Sequence, residues 1–126
     1  MESGGHALVL LSGGIDSSAT LALYTRRGDA SALFVDYGQA AARQELSASQ
    51  RVSAHYGVRL AVVRCEGLGT FGEGYIRGRN AFLLHLGLAR AEFEVGQIAI
   101  GLHAGTSYAD CTPAFVAEIQ RNLLQL

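Results

Sequence analysis

Apolar residues along the chain follow two alternating patterns. Short apolar runs at 7–11 and 32–35, and the stretches 59–64, with Leu60, Val62 and Val63, and 97–102, have the length of buried strands. Between them lie longer segments whose apolar positions recur every three or four residues, the spacing of one helix face. The first helix is expected over 17–27, with Ala19, Leu21, Ala22 and Leu23 on a broad apolar side and Gly28 at its C-terminal cap. The second covers 40–56 and stops at Gly57. The third opens on Asn80, a capping residue, and carries Phe82, Leu83, Leu86, Ala89 and Phe93. The last runs from Pro113, since proline is tolerated in a first turn, to Leu126. Segment 66–79 is rich in glycine and irregular, 103–111 reads as a loop, and no internal repeat is present. Strands alternating with helices predict an α/β fold, a parallel sheet of about four strands with helices on both faces.

In such sheets ligands bind beyond the carboxyl ends of the strands. The loops at 12–17, 36–39, 67–80 and 103–111 each follow a strand and so share one rim. The first is the most informative. Ser12, Gly13 and Gly14 break the opening apolar run, and Ile15, Asp16, Ser17 and Ser18 begin a helical pattern. Two adjacent glycines allow a tight turn and close approach of a ligand to the main chain. The free N–H groups of the loop and first helical turn then converge where an anion is favoured. The hydroxyls of Ser12, Ser17 and Ser18 flank that point, and Asp16 can hold a divalent cation on a phosphate. The bland alternative is a glycine turn capped by Ser or Asp.

Composition narrows the classes. At 126 residues and 49% apolar, the chain suits one small globular domain. A formal net charge of −1 argues against a broad nucleic-acid footprint. All basic residues are arginine, which removes any P-loop lysine, and the G-x-G-x-x-G dinucleotide pattern is missing at this loop. Cys65 and Cys111 are too few and too far apart for a disulfide framework or a zinc ribbon. The apolar runs are too short to cross a bilayer and no signal peptide is visible, so a soluble cytoplasmic protein is expected.

The other loops carry polar groups that read either way. Asp36 can accept a hydrogen bond from a ribose or a base, Tyr37 can stack on a ring, and Gly38 permits close approach; a strand end with a simple turn is the alternative. Arg77 and Arg79, beside Tyr75 and Asn80, offer two guanidinium forks for a carboxylate or phosphate, or form a solvated basic turn. Asp110 is a ligand or a helix cap, and Cys111 reads as a buried thiol. His6, His55, His85 and His103 show no metal-ligand spacing.

S-G-G-I-D-S at 12–17 resembles the signature of the PP-loop ATP pyrophosphatases, which split ATP between its α and β phosphates. With D-Y-G-Q at 36–39, G-R-N at 78–80 and D-C-x-P-x-F at 110–115, the chain is similar to the 7-cyano-7-deazaguanine synthases. The resemblance covers nearly the whole chain and implies a Rossmann-like adenine nucleotide alpha hydrolase fold of the PP-loop ATPase type. It implies adenylation of 7-carboxy-7-deazaguanine by ATP, displacement of AMP by ammonia, and a second adenylation that dehydrates the amide to a nitrile. Leu10, Leu11, Ser12, Gly13, Gly14, Ile15, Asp16, Ser17 and Ser18 are then expected around the nucleotide, with Val35, Asp36 and Tyr37 near adenine. Ser12, Asp16 and Ser17 are expected to act in catalysis, with Asp16 on Mg²⁺. Gly38, Gln39, Tyr75, Arg77, Arg79, Asn80 and Asp110 are the expected substrate contacts.

The resembled family also has a C-terminal part with a four-cysteine zinc site, for which this chain has no ligands. Residues 1–126 are therefore expected to form a single PP-loop domain of a shortened or truncated member. Its last helix, with Phe115, Val116, Ile119, Leu123 and Leu124, requires covering, for which a homodimer is expected. Two other readings stay open: a PP-loop enzyme acting on another acid or base, including tRNA-modifying and antiphage relatives, and a nucleotide-binding module without catalysis.

Overall fold

The computed structural model describes residues 6–71, 76–91, 95–102 and 109–123. Strands β1 (His6–Leu10), β2 (Ala30–Asp36), β3 (Leu60–Arg64) and β4 (Val95–Ile100) alternate with helices α1 (Ile15–Arg27), α2 (Ala42–His55) and α3 (Arg79–Arg90). A short 3-10 turn, Ala109–Cys111, leads into α4 (Pro113–Leu123). The strands are all parallel and lie in the order β3-β2-β1-β4. The expected parallel sheet is therefore what the chain forms. Its order reverses between β1 and β4, as in the first four strands of doubly wound nucleotide-binding sheets.

Alternation along β1 divides the interior between two faces. Leu8 and Leu10 join Leu33, Val35, Tyr37 and Leu84 in a cluster that also packs Leu83, Leu86, Phe115 and Ile119 of α3 and α4. Val9 and Leu11 join Leu21, Ala32 and Ala99 on the other side, with Tyr24 of α1 and Val52 of α2. A strand buried on both faces has no polar side to show, which is why β1 and β2 read as continuous apolar runs. The edge strand β3 is more open, and Val62 is 40% exposed. Helix α2 buries Ser49 and Ser53, whose hydroxyls have no hydrogen-bond partner among the described residues.

Local chemistry moves several boundaries. Gly14, not a residue nearer Ser17, is the N-cap of α1, so that helix begins at Ile15. Gly78 is the N-cap of α3 in the left-handed conformation, with φ of 76°. Asn80 is therefore not the cap; it lies in the first turn, 2% exposed, and is bonded elsewhere. The Thr112 hydroxyl accepts the Phe115 N–H at 3.1 Å and caps α4. Phe115, Ile119 and Leu123 pack half-buried on the chain's own core, no residue of the last helix is fully buried, and Val116 is exposed. Phe93 and Leu124 lie outside the described residues. No helix among the described residues is long and apolar enough to cross a membrane.

Candidate functional site

The parallel sheet delivers the ends of all four strands to one edge, and the loop after β1 lies at its centre. The conformation of that loop is set by short polar bonds. The Ser12 N–H donates to Ser17 Oγ at 3.1 Å, the two serine hydroxyls lie 3.1 Å apart, and Ser17 Oγ donates to the Gly14 carbonyl at 3.3 Å. Buried Ser17 is thus a brace inside the loop, while Ser12 stays exposed. Gly13 has φ of 83°, and a Cβ there would lie 2.7 Å from Ala48 Cβ and 2.9 Å from the Glu45 carbonyl oxygen. Its need for glycine comes from α2 as much as from any ligand. Gly14 is different: a Cβ would meet only Ser12 Oγ, at 3.6 Å.

Ser18 donates its N–H to the Gly14 carbonyl at 3.0 Å, and Gly14 N–H reaches Ser12 Oγ at 3.4 Å. Among the described residues, the N–H groups of Gly13, Ile15, Asp16 and Ser17 donate to no protein acceptor. These donors stand at the positive end of α1, where an anion is favoured. Ile15 is 88% exposed and Asp16 is exposed beside it. Among the described residues no group of three or more His, Cys, Asp or Glu could hold a metal ion.

A cavity of about 180 Å³ lies beside this loop. Its walls are Leu10 and Ser12, Ser17 of α1, Leu33 to Val35 of β2, Tyr37 and Gln39, Glu45 of α2, Arg79, Asn80 and Leu83 of α3, Ile100 at the end of β4 and Gly101 just after it. Leu11 faces the opposite core. Asp36, Gly38 and Tyr37 border a second hollow of about 310 Å³ with Arg64, Cys65 and Glu66.

The loop after β2 is closed on itself. Asp36 Oδ1 accepts the Gly38 N–H at 3.1 Å. Gln39 Oε1 accepts the Tyr37 N–H at 2.8 Å, while Gln39 Nε2 donates to the Val35 carbonyl at 3.0 Å and to Glu45 Oε1 at 3.1 Å. Tyr37 is 7% exposed, with its ring edge-on to Phe71 and Phe82. Burial pushes its phenol above the ordinary value of 10.0; a hydrogen bond and the charge from Arg79 oppose that shift, and Glu45 adds to it.

At the start of α3, Arg79 and Asn80 both line the cavity, whereas Arg77 is exposed and borders neither hollow. Tyr75 and His103 lie outside the described residues. Buried Asp110 stands behind Asn80 rather than in the cavity wall: Asn80 Nδ2 donates to the Asp110 carbonyl at 3.0 Å, and Asn80 N–H approaches Asp110 Oδ2 at 3.5 Å. The Cys111 thiol adjoins the same knot, 3.8 Å from Asn80 Nδ2. His6 bonds Ser31 across the sheet and His85 bonds the Ala81 carbonyl, both away from the site.

Pattern reading passes over Glu45 and Gly101. Glu45 lies on a helix with no motif around it, and only the packing of α2 against the loop after β1 brings it into the wall. A Cβ at Gly101 would fall 2.7 Å from the Asp16 carbonyl oxygen and 2.8 Å from Thr20 Oγ1, so this glycine lets β4 end against the first turn of α1. The only local signal for it is a glycine directly after an apolar run.

Comparison with known proteins agrees with the four motifs. The family model described as "Queuosine biosynthesis protein QueC" matches residues 6–74. The chain is 37% identical over 140 aligned residues to the 7-cyano-7-deazaguanine synthase of Thiobacillus denitrificans, covering 91% of this chain and 62% of that one. It is 36% identical to the 7-cyano-7-deazaguanine synthase of an Azoarcus species, covering 91% of this chain and 61% of the relative. The chain therefore spans roughly three fifths of the length of these relatives. Among solved structures, it is similar to the NH3-dependent NAD synthetase of Campylobacter jejuni in complex with nitrate. That match has 16% identity and a TM-score of 0.46 over 99% of this chain and 69% of the other.

Proposed function

The chain belongs to the family of the queuosine biosynthesis protein QueC, and from that premise we propose that it acts as an ATP-dependent carbon–nitrogen ligase of the deazapurine pathway. The observation that carries this reading is the row of open N–H groups at Gly13 and the start of α1, beside a glycine whose Cβ position is free. Such a row suits the phosphates of ATP, which supplies the activating AMP group. The acid is 7-carboxy-7-deazaguanine. Its carboxylate oxygen attacks the α-phosphorus and pyrophosphate leaves; ammonia then adds to the acyl carbon and AMP departs with the C–O electron pair. A second adenylation of the amide oxygen releases pyrophosphate, and loss of AMP with the C–O electron pair and of both nitrogen protons leaves the nitrile.

Within this proposal Ser12 meets the phosphates, Ser17 keeps the loop in shape, and Asp16 would hold Mg²⁺, which would neutralise charge on the phosphates. Arg79, in the cavity wall, receives the acid's carboxylate, and Asn80, held by Asp110, presents that helix start. Zinc does not fit this chain, whose two cysteines lie in different parts of the fold. A single PP-loop domain and a cytoplasmic location go with the family reading, while a homodimer would cover the last helix, none of whose residues is fully buried; the mass in solution tests it. The decisive assay is pyrophosphate release from ATP with 7-carboxy-7-deazaguanine against a panel of other acids. Release specific to the deazapurine is expected. Release with another acid would move the chain to a different PP-loop reaction, and ATP binding without release would make it a binding module.

A further inference from the structure

Glu45 belongs to none of the four motifs, yet it stands in the cavity wall with Ser12, Gln39 and Arg79. Its position is fixed from two directions. Its own carbonyl oxygen lies against Gly13, so the first turn of α2 is seated on the phosphate loop. Its Oε1 accepts the Gln39 amide at 3.1 Å, and that amide is itself held by Val35 and Tyr37. Arg79 presents the opposite charge to the same cavity, and among the described residues the two form no ion pair. A carboxylate placed beside a triphosphate is repelled unless a cation comes between them. Amide formation from an acid and ammonia brings one anion and, at neutral pH, one cation to the same point. Arg79 matches the first and leaves Glu45 for the second.

We propose that Glu45 binds the ammonium ion that supplies the nitrogen and takes its proton as the nitrogen attacks. The assignment rests on the ligase reading above. Ammonium gives one proton to the Glu45 carboxylate, and the freed lone pair bonds to the acyl carbon. AMP leaves with the C–O pair, the new amide nitrogen loses its extra proton to water, and Glu45 returns its own proton to solvent.

Glu45→Gln in the full chain tests this while keeping an oxygen to accept the Gln39 amide. In the first measurement the Gln39 side-chain amide resonance is followed by NMR as ammonium chloride is added. A saturable shift is expected in the unchanged protein, absent with tetramethylammonium chloride and absent in Glu45→Gln. In the second, hydroxylamine, largely uncharged at neutral pH and needing no such base, competes with ammonium for the activated acid. The ratio of hydroxamate to ammonia-derived product is expected to rise on the order of a hundredfold in Glu45→Gln, the scale of a general base. Glu45→Asp, which keeps the charge on a shorter arm, is expected between the two and serves if the glutamine variant does not fold. An unchanged ratio, or a shifted magnesium requirement with unchanged ammonium dependence, overturns the assignment of Glu45 alone. An unchanged protein that releases no pyrophosphate overturns the ligase reading and this assignment with it.

Discussion

The loops that leave β1 and β2 stand side by side on one edge of the sheet, are built from similar glycine, aspartate and small polar residues, and use their hydrogen bonds in opposite ways. After β2, Asp36 and Gln39 turn back on the main chain, so the loop satisfies itself. After β1, the serines brace one another and the N–H groups of Gly13, Ile15, Asp16 and Ser17 are left without a protein acceptor among the described residues. One loop is a finished turn and the other is an unfinished one. Residue type does not separate a ligand group from a brace; the partner of each donor does.

Substitutions can break or sharpen that contrast. The largest effect is expected from Gly13→Ala, which places a methyl against Ala48 and Glu45 in a left-handed residue. Strain and overpacking together should cost about 3 kcal/mol in urea unfolding. A cost near zero would mean that α2 does not seat the phosphate loop. Gln39→Ala comes next, since it leaves the Tyr37 N–H and the Val35 carbonyl without their partner, a loss of about 2 kcal/mol by the same measurement. Asp36→Ala removes only the turn bond to Gly38 and should cost about 1 kcal/mol. If ATP affinity collapsed in that variant while its fold held, the second loop would also be a ligand loop and the contrast would fail. Gly14→Ala is the smallest change, about 0.5 kcal/mol at an N-cap position with room for a methyl. Its ATP affinity should nevertheless drop at least severalfold, because the methyl projects where the main chain is open.

Much of this was legible in advance. The apolar runs of β1 and β2, the Gly13–Gly14 break and the strand–helix alternation predict the parallel sheet and its rim, and the structure forms both. The failures share one cause. Asn80 is a good N-cap by residue type, but its amide is taken by Asp110, thirty residues onward, and Gly78 caps instead. Asp110 likewise bonds across to α3, while Thr112 caps its own helix. Glu45 and Gly101 acquire their places from helices packed against strand ends. Periodicity and capping rules describe neighbours along the chain, and none of these contacts is between neighbours.

The central claim is that main-chain donors at the start of α1 grip the nucleotide's phosphates. An ATP titration followed through backbone amide resonances tests it most directly. The N–H signals of Gly13, Ile15, Asp16 and Ser17 should move together and saturate at one concentration, with the largest displacements in the protein. If those signals stay still while ATP saturates some other part of the molecule, the claim is wrong.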